Sequence, residues 1–222
     1  MTIRQWVCTL FLVTLAASAA GADTLLIIKE GTRIGHDGSA TASGKQNVAE
    51  ADAQTVHFWS RSDRIARVDD AGKMIGDLNT GMLYLVNDEA KTCDSISTRE
   101  TSADPEVLRK AAAAVNVRKT GASRQIGSWH ADAYELDTGE GDDRIEVKVW
   151  VSEDVSVPPA QRAYMERVAT PETAWMLTLF DLGGFPVRQE ARIGPMNTWA
   201  ELVSVEEKAA PAGTFEIPGG CK

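Results

Sequence analysis

Cysteine, histidine and paired acids are the residue types that most often carry chemistry, and this chain uses them sparingly. Its three histidines are His36, His57 and His130, and none stands at the short His/Cys/Asp spacing of a zinc site. His57 and His130 fall in strand-like runs, where neighbouring strands would have to bring them together before they could share a metal. Cys93 could serve as a nucleophile only with a histidine beside it, and no catalytic signature surrounds it. Asp69-Asp70, Asp142-Asp143 and Glu206-Glu207 sit in turn-like stretches and read as solvated turn residues rather than acid/base pairs. Neither a Gly-x-Ser-x-Gly elbow nor a phosphate-cradling Walker loop occurs. No catalytic, metal or cofactor residue is therefore expected, nor an enzyme.

The aromatic residues point elsewhere, to a binding cavity. Trp59, Trp129, Trp150, Trp175 and Trp199 are many for a domain of this size. Trp175-Met176-Leu177-Thr178-Leu179-Phe180 is the most apolar patch outside the N-terminus. Aromatics dominate core energetics, so plain packing is one use for them. The other is an apolar cavity for a lipid-like group, with Phe58, Tyr84, Trp150, Trp175, Leu179 and Phe180 as candidate lining. Trp150 shares the parity of Arg144, Glu146 and Lys148, opposite Ile145, Val147, Val149 and Val151, which places it on the far side of its strand or at a rim.

The compartment follows from the first residues. Arg4 precedes an apolar run from Trp6 to Ala17, then small residues. This is the pattern of a secretory signal, cut after Ala19 or Ala22. The run is short for a spanning helix, which needs about 20 apolar residues. Residues 1–22 are expected to be removed in a periplasmic protein, leaving 23–222 as one domain that does not span the membrane. A domain of about 200 residues buries roughly 70% of its unfolded surface. The net charge of −9 disfavours nucleic acid. Past the signal only Cys93 and Cys221 remain, an even count for an oxidising compartment. A disulfide between them is expected, with two separate buried thiols as the alternative.

Strands dominate the elements that would hold such a site. Five short runs between Thr55 and Ile96, separated by Asp/Asn/Gly turns, have the hairpin signature. Thr24–Lys29 precedes them, and a Gly/Ser-rich loop spans Gly35–Gln46. Asp104-Pro105-Glu106 starts a helix to about Asn116, whose four alanines predict close packing on a sheet. Gln125–Leu136 reads as one strand with a bulge near Ala131, and Arg144–Val151 alternates cleanly. Two short helices follow, from Pro158 to Val168 and from Thr170 to about Leu182. Val187–Ile193, Trp199–Val205 and Thr214–Ile217 complete the strands. The expected fold is α+β and mostly β, a strongly curved, unclosed antiparallel sheet of about ten strands with two or three helices on its concave side.

Several segments in order resemble a known family: Arg64–Asp69, Gly76–Asn87, Ala90–Cys93, Val149–Val155, Gly184–Arg188 and Phe215–Gly219. They are similar to exported proteins with domain of unknown function 4412, which look like members of the LolA/LolB-like lipoprotein-carrier superfamily. The resemblance implies an unclosed β-barrel wrapped over helices, with an apolar cavity. The chain has cysteine at position 93, where the related family suggests tyrosine, and lacks a local match to LolA functional residues. Only the fold and the cavity carry over. The implied function is a periplasmic binding or carrier protein for acyl chains, lipoprotein or a hydrophobic peptide. The alternative is a non-catalytic structural or interaction protein of an envelope complex.

Overall fold

The computed structural model describes residues 22–34, 53–98, 103–139 and 144–221. The export signal, the Gly35–Gln46 loop, His36 and the Asp142-Asp143 pair lie wholly or almost wholly outside them. Six strands come first: β1 Asp23–Ile34, β2 Gln54–Ser60, β3 Arg64–Asp69, β4 Gly72–Asp77, β5 Met82–Asn87 and β6 Thr92–Ser97. Helix α1 (Pro105–Ala113) leads into β7 Asn116–Ile126, β8 Trp129–Thr138 and β9 Ile145–Ser152. Helices α2 (Pro159–Val168) and α3 (Trp175–Leu179) precede β10 Phe185–Ile193 and β11 Met196–Lys208. All eleven strands form one antiparallel, unclosed sheet in the order β6-β5-β4-β3-β2-β1-β11-β10-β9-β8-β7.

Side chains in the turns enforce the first meander. The Asp69 carboxylate accepts the Ala71 amide at 2.9 Å, Asp77 accepts both Asn79 and Thr80, and Asn87 accepts Ala90. Such Asx bonds replace the backbone partners that a reversal removes. The second half differs from expectation. The stretch read as one bulged strand is a hairpin, turning at Gly127-Ser128 with Gly127 at φ +53°. Its first arm, β7, is an edge strand with nearly every residue exposed, so it shows no apolar alternation to read.

The sheet bends. Trp129 on β8 lines the same small pocket as Thr24 on β1 and Val205 on β11. In a flat sheet β8 and β1 would stand about 19 Å apart, at roughly 4.8 Å per strand. Register breaks at Ile27/Ile28 and at Pro186/Arg188 mark bulges, which add local twist.

The two faces of the sheet are covered by different segments. Helices α2 and α3 lie on the face bearing Ile65, Leu83, Leu136, Val147 and Val149. On the opposite face Leu25, Trp59, Ala66 and Ile75 pack against Ala210, Phe215 and Ile217. The expected last strand, Thr214–Ile217, is instead a strap of tight turns, closed by Thr214 N–H to Pro211 O and Glu216 N–H to Gly213 O. Those turns engage the Thr214 and Glu216 amides within the strap itself instead of with a neighbouring strand. Arg64 and Lys73 donate to the strap carbonyls of Phe215 and Gly213, and the Arg61 guanidinium stacks 4.0 Å from the Phe215 ring centre. The strap ends at Cys221, bonded to Cys93 of β6 across 128 residues of sequence.

Two outcomes are expected. Replacing Cys93 and Cys221 together by serine should lower unfolding free energy by about 5 kcal/mol, from lost restraint on the unfolded chain; urea titration measures it. Burial disfavours the charged form of Asp23, but the Arg61 hydrogen bond, the Ala210 amide and the Arg61 charge outweigh it and hold its pKa below the usual 3.8. A depressed carboxyl stabilises the fold above its unfolded pKa and loses that contribution as pH falls through the folded one. The stability gap between wild type and Asp23→Asn should therefore be full at neutral pH and close below pH 3.8.

Candidate functional site

Three short helices meet over one face of the sheet, and each is held by a few apolar residues. In α2, Ala160 and Tyr164 are buried one turn apart and pack on Ile65, Met74 and Leu83. Gly76 makes this approach feasible, because a Cβ there would stand 2.7 Å from the Tyr164 ring. The Tyr164 hydroxyl has Met74 Sδ at 3.8 Å as its partner, and burial pushes its pKa up to about 12. In α3, Trp175 and Leu179 repeat the one-turn spacing and pack on Leu136, Val147, Val149, Val151 and Ala191. Asp104 caps α1 by accepting the Glu106 amide at 2.7 Å. Leu108 is the one buried residue of α1 and packs with Ala169, Ala174 and Leu177. Ala111 and Ala112 thus pack on the α2–α3 segment, not on a sheet as the four-alanine run suggested, and Ala113 and Ala114 are exposed. A helix with few large side chains can approach another helix as closely as it can a sheet.

The helices enclose a cleft of about 650 Å³. Leu108 and Ala112 of α1, with Leu177 and Phe180 at α3, supply apolar wall; Arg109, Arg162, Glu166, Arg167 and Asp181 supply charge. Arg162 donates to Glu166 at 3.1 Å and to Asp181 at 2.8 Å, tying α2 to the residues after α3. Exposed pairs of this kind contribute about 0–1 kcal/mol, whereas burying a large apolar side chain contributes about 1.5–3 kcal/mol. Tyr164, Trp175 and Leu108 therefore hold the helices in place, and the ion pairs trim the rim.

The six candidate cavity residues fall in several places. Phe180 lines the interhelical cleft. Trp175 and Leu179 share the core between α3 and the sheet. Phe58 and Trp150 belong to a second apolar cluster with Leu26, Val187 and Leu202. Tyr84 packs beneath the C-terminal strap, away from the helices. Trp150 pairs in register with Ala133 and Arg188, on the face opposite Val149. It is buried there under Arg124, 4.1 Å from its ring, with Lys148 and Arg188 at 5.0 and 5.9 Å. Leu108, Ala112, Leu177 and the arginines were not singled out from sequence. They come from segments up to 70 residues apart, and only the helical phase of Leu108 with Ala112 gave a local sign of a shared face.

His57 and His130 lie on β2 and β8, with four strands between them. Among the described residues no group of three or more His, Cys, Asp or Glu could hold a metal ion, and no helix is long and apolar enough to cross a membrane.

An unclosed antiparallel half-barrel with helices laid over one face is the class the fold defines, and it is the architecture the sequence resemblance implied. The chain belongs to the family described as domain of unknown function DUF4412, whose model matches residues 60–221. No curated protein matches the sequence. Among solved structures it is similar to PNGF-II, at 12% identity and TM-score 0.40, covering 90% of this chain and 30% of that one. It is also similar to MucB in complex with MucA(peri), at 13% identity and TM-score 0.42, covering 90% and 56%. A third is the Mycobacterium tuberculosis lipoprotein LppX, at 8% identity and TM-score 0.37, covering 89% and 91%.

Tyr164 offers a probe of the helix–sheet contact. Its raised pKa disfavours ionisation in the fold, so stability should be intact below pH 10 and fall as pH rises toward about 12. The difference between ultraviolet titrations of wild type and Tyr164→Phe should contain one phenol ionising near pH 12; a difference step near pH 10 would show the ring to be solvated.

Proposed function

We propose that this protein is an exported, non-catalytic binding or carrier domain whose ligand occupies the cleft between α1, α2 and α3. The observation that carries the proposal is the cleft itself. Its volume of about 650 Å³ lies within the roughly 300–1,000 Å³ of small-molecule sites, and its walls include Leu108, Ala112, Leu177 and Phe180. Those side chains suit an acyl chain or the apolar side chains of a peptide, since each buried methylene contributes about 0.8 kcal/mol. Phe180, one of the six cavity candidates, is the wall residue proposed to meet the ligand first. Trp175 and Leu179, which do not line the cleft, anchor α3 to the sheet. Phe58, Tyr84 and Trp150 are assigned to packing.

Export through a signal in residues 1–22, leaving the domain 23–222, is supported by the Cys93–Cys221 disulfide, which persists in oxidising compartments. A purely structural role in an envelope complex is the reading to which the domain would revert if the cleft bound nothing.

The test is binding of a neutral apolar fluorophore, N-phenylnaphthylamine, and its displacement by acyl compounds. Wild type should bind, and Ala112→Trp, which fills the cleft from its α1 wall, should bind several-fold more weakly under conditions where circular dichroism shows it still folded. Equal binding by both proteins would move the ligand site elsewhere, and no binding by wild type would reject the carrier role.

A further inference from the structure

We propose that the ligand of this cleft is an anionic amphiphile, with its acidic head group on Arg167 and its chain along Leu108, Leu177 and Phe180. This rests on the cleft being the ligand site, and adds the chemical class of its occupant. Five charged residues line the cleft, and most are already committed. Arg109 is held by both oxygens of Glu106, at 2.6 and 2.9 Å. Arg162 takes both acids of the lining, Glu166 and Asp181. Arg167 alone among the five makes no ion pair or side-chain hydrogen bond within the described residues. Arg162, Glu166 and Asp181 together carry one negative charge, so among the described residues Arg167 balances the lining and is its one guanidinium with donors left for a ligand, in a chain whose net charge is −9.

A guanidinium presents a planar fork of donors that fits a carboxylate or a phosphate with two parallel bonds. It is also more weakly hydrated than an ammonium, so it tolerates a site beside apolar walls. A position in the last turn of α2 gives Arg167 a favourable placement at the negative end of the helix dipole, which accounts for an arginine there but not for its facing a cleft. The acidic surface repels anions at a distance, and salt screens that repulsion beyond about 10 Å. Contact with Arg167 then decides selectivity. A cationic or uncharged head group would leave the guanidinium unmatched.

The experiment compares dodecanoate, dodecyl phosphate and dodecanol as competitors of N-phenylnaphthylamine, on wild type, Arg167→Gln and Arg167→Lys. Both anions should displace the probe at least about tenfold more tightly than the alcohol, as a charge-assisted hydrogen bond allows. Arg167→Gln should remove most of that preference and leave dodecanol affinity unchanged, and Arg167→Lys should keep part of it. Relative affinity for the two anions distinguishes a carboxylate head from a phosphate. If dodecanol competes as well as the anions, or Arg167→Gln keeps the full preference, the anionic assignment is wrong while the cleft remains a ligand site. If none of the three competes on wild type, the cleft reading falls with it.

Discussion

The pairing of β1 with β11 is the constraint on which the rest depends. Asp23–Ile34 runs against Lys208–Met196 along its whole length, and this seam joins two meanders that are otherwise separate. β2–β6 on one side and β7–β10 on the other contain only neighbours in sequence, so each could pair locally without the other. The seam places them edge to edge, and the bulge at Ile27/Ile28 lets the joined sheet turn. Only in that bent sheet do α2, inserted after β9, and Ile65 of the other meander come into contact. The helix that roofs the first half of the sheet is supplied by the second half.

Coverage of both faces then decides where a ligand can go. The strap from Ala210 to Ile217 covers the outer face of β1–β5, and α2 covers the inner face of β3–β5. α3 fills the inner face of β8–β10. What remains open is the space between helices, floored by side chains that no strand supplies. This site is therefore bounded by short helices with modest contacts, the kind of element whose local opening costs little.

Much of the fold was legible in the sequence because turns and alternation are local signals. The Asp/Asn/Gly punctuation located β2–β6 to within a residue or two, and strict alternation in Arg144–Val151 assigned Trp150 to the face opposite Val149. Two segments were misread for physical reasons. Asn116–Ser123 is an edge strand, exposed on both sides, so it lacks the apolar period that burial imposes. Thr214–Ile217 alternates like a strand because Phe215 and Ile217 both pack on the sheet, but the Thr214 and Glu216 amides bond within turns. The site was less legible. Phe180 was singled out by the apolar run around it, whereas Arg167 matters only because its neighbours Arg162, Glu166 and Asp181 pair with one another, and that depends on α2 and α3 meeting in space.

The seam also sets a schedule for the living cell. A chain that emerges N-terminus first presents β1 almost at once, with β2 as its only available neighbour. Its other edge waits for β11, which begins at Met196, so the backbone donors and acceptors of that edge stay open for most of synthesis. Two meanders can form early, but the joint between them, the roof over the first half and the bond from Cys93 to Cys221 all await the last segments. Such a protein stays unfinished until nearly all of it has been made.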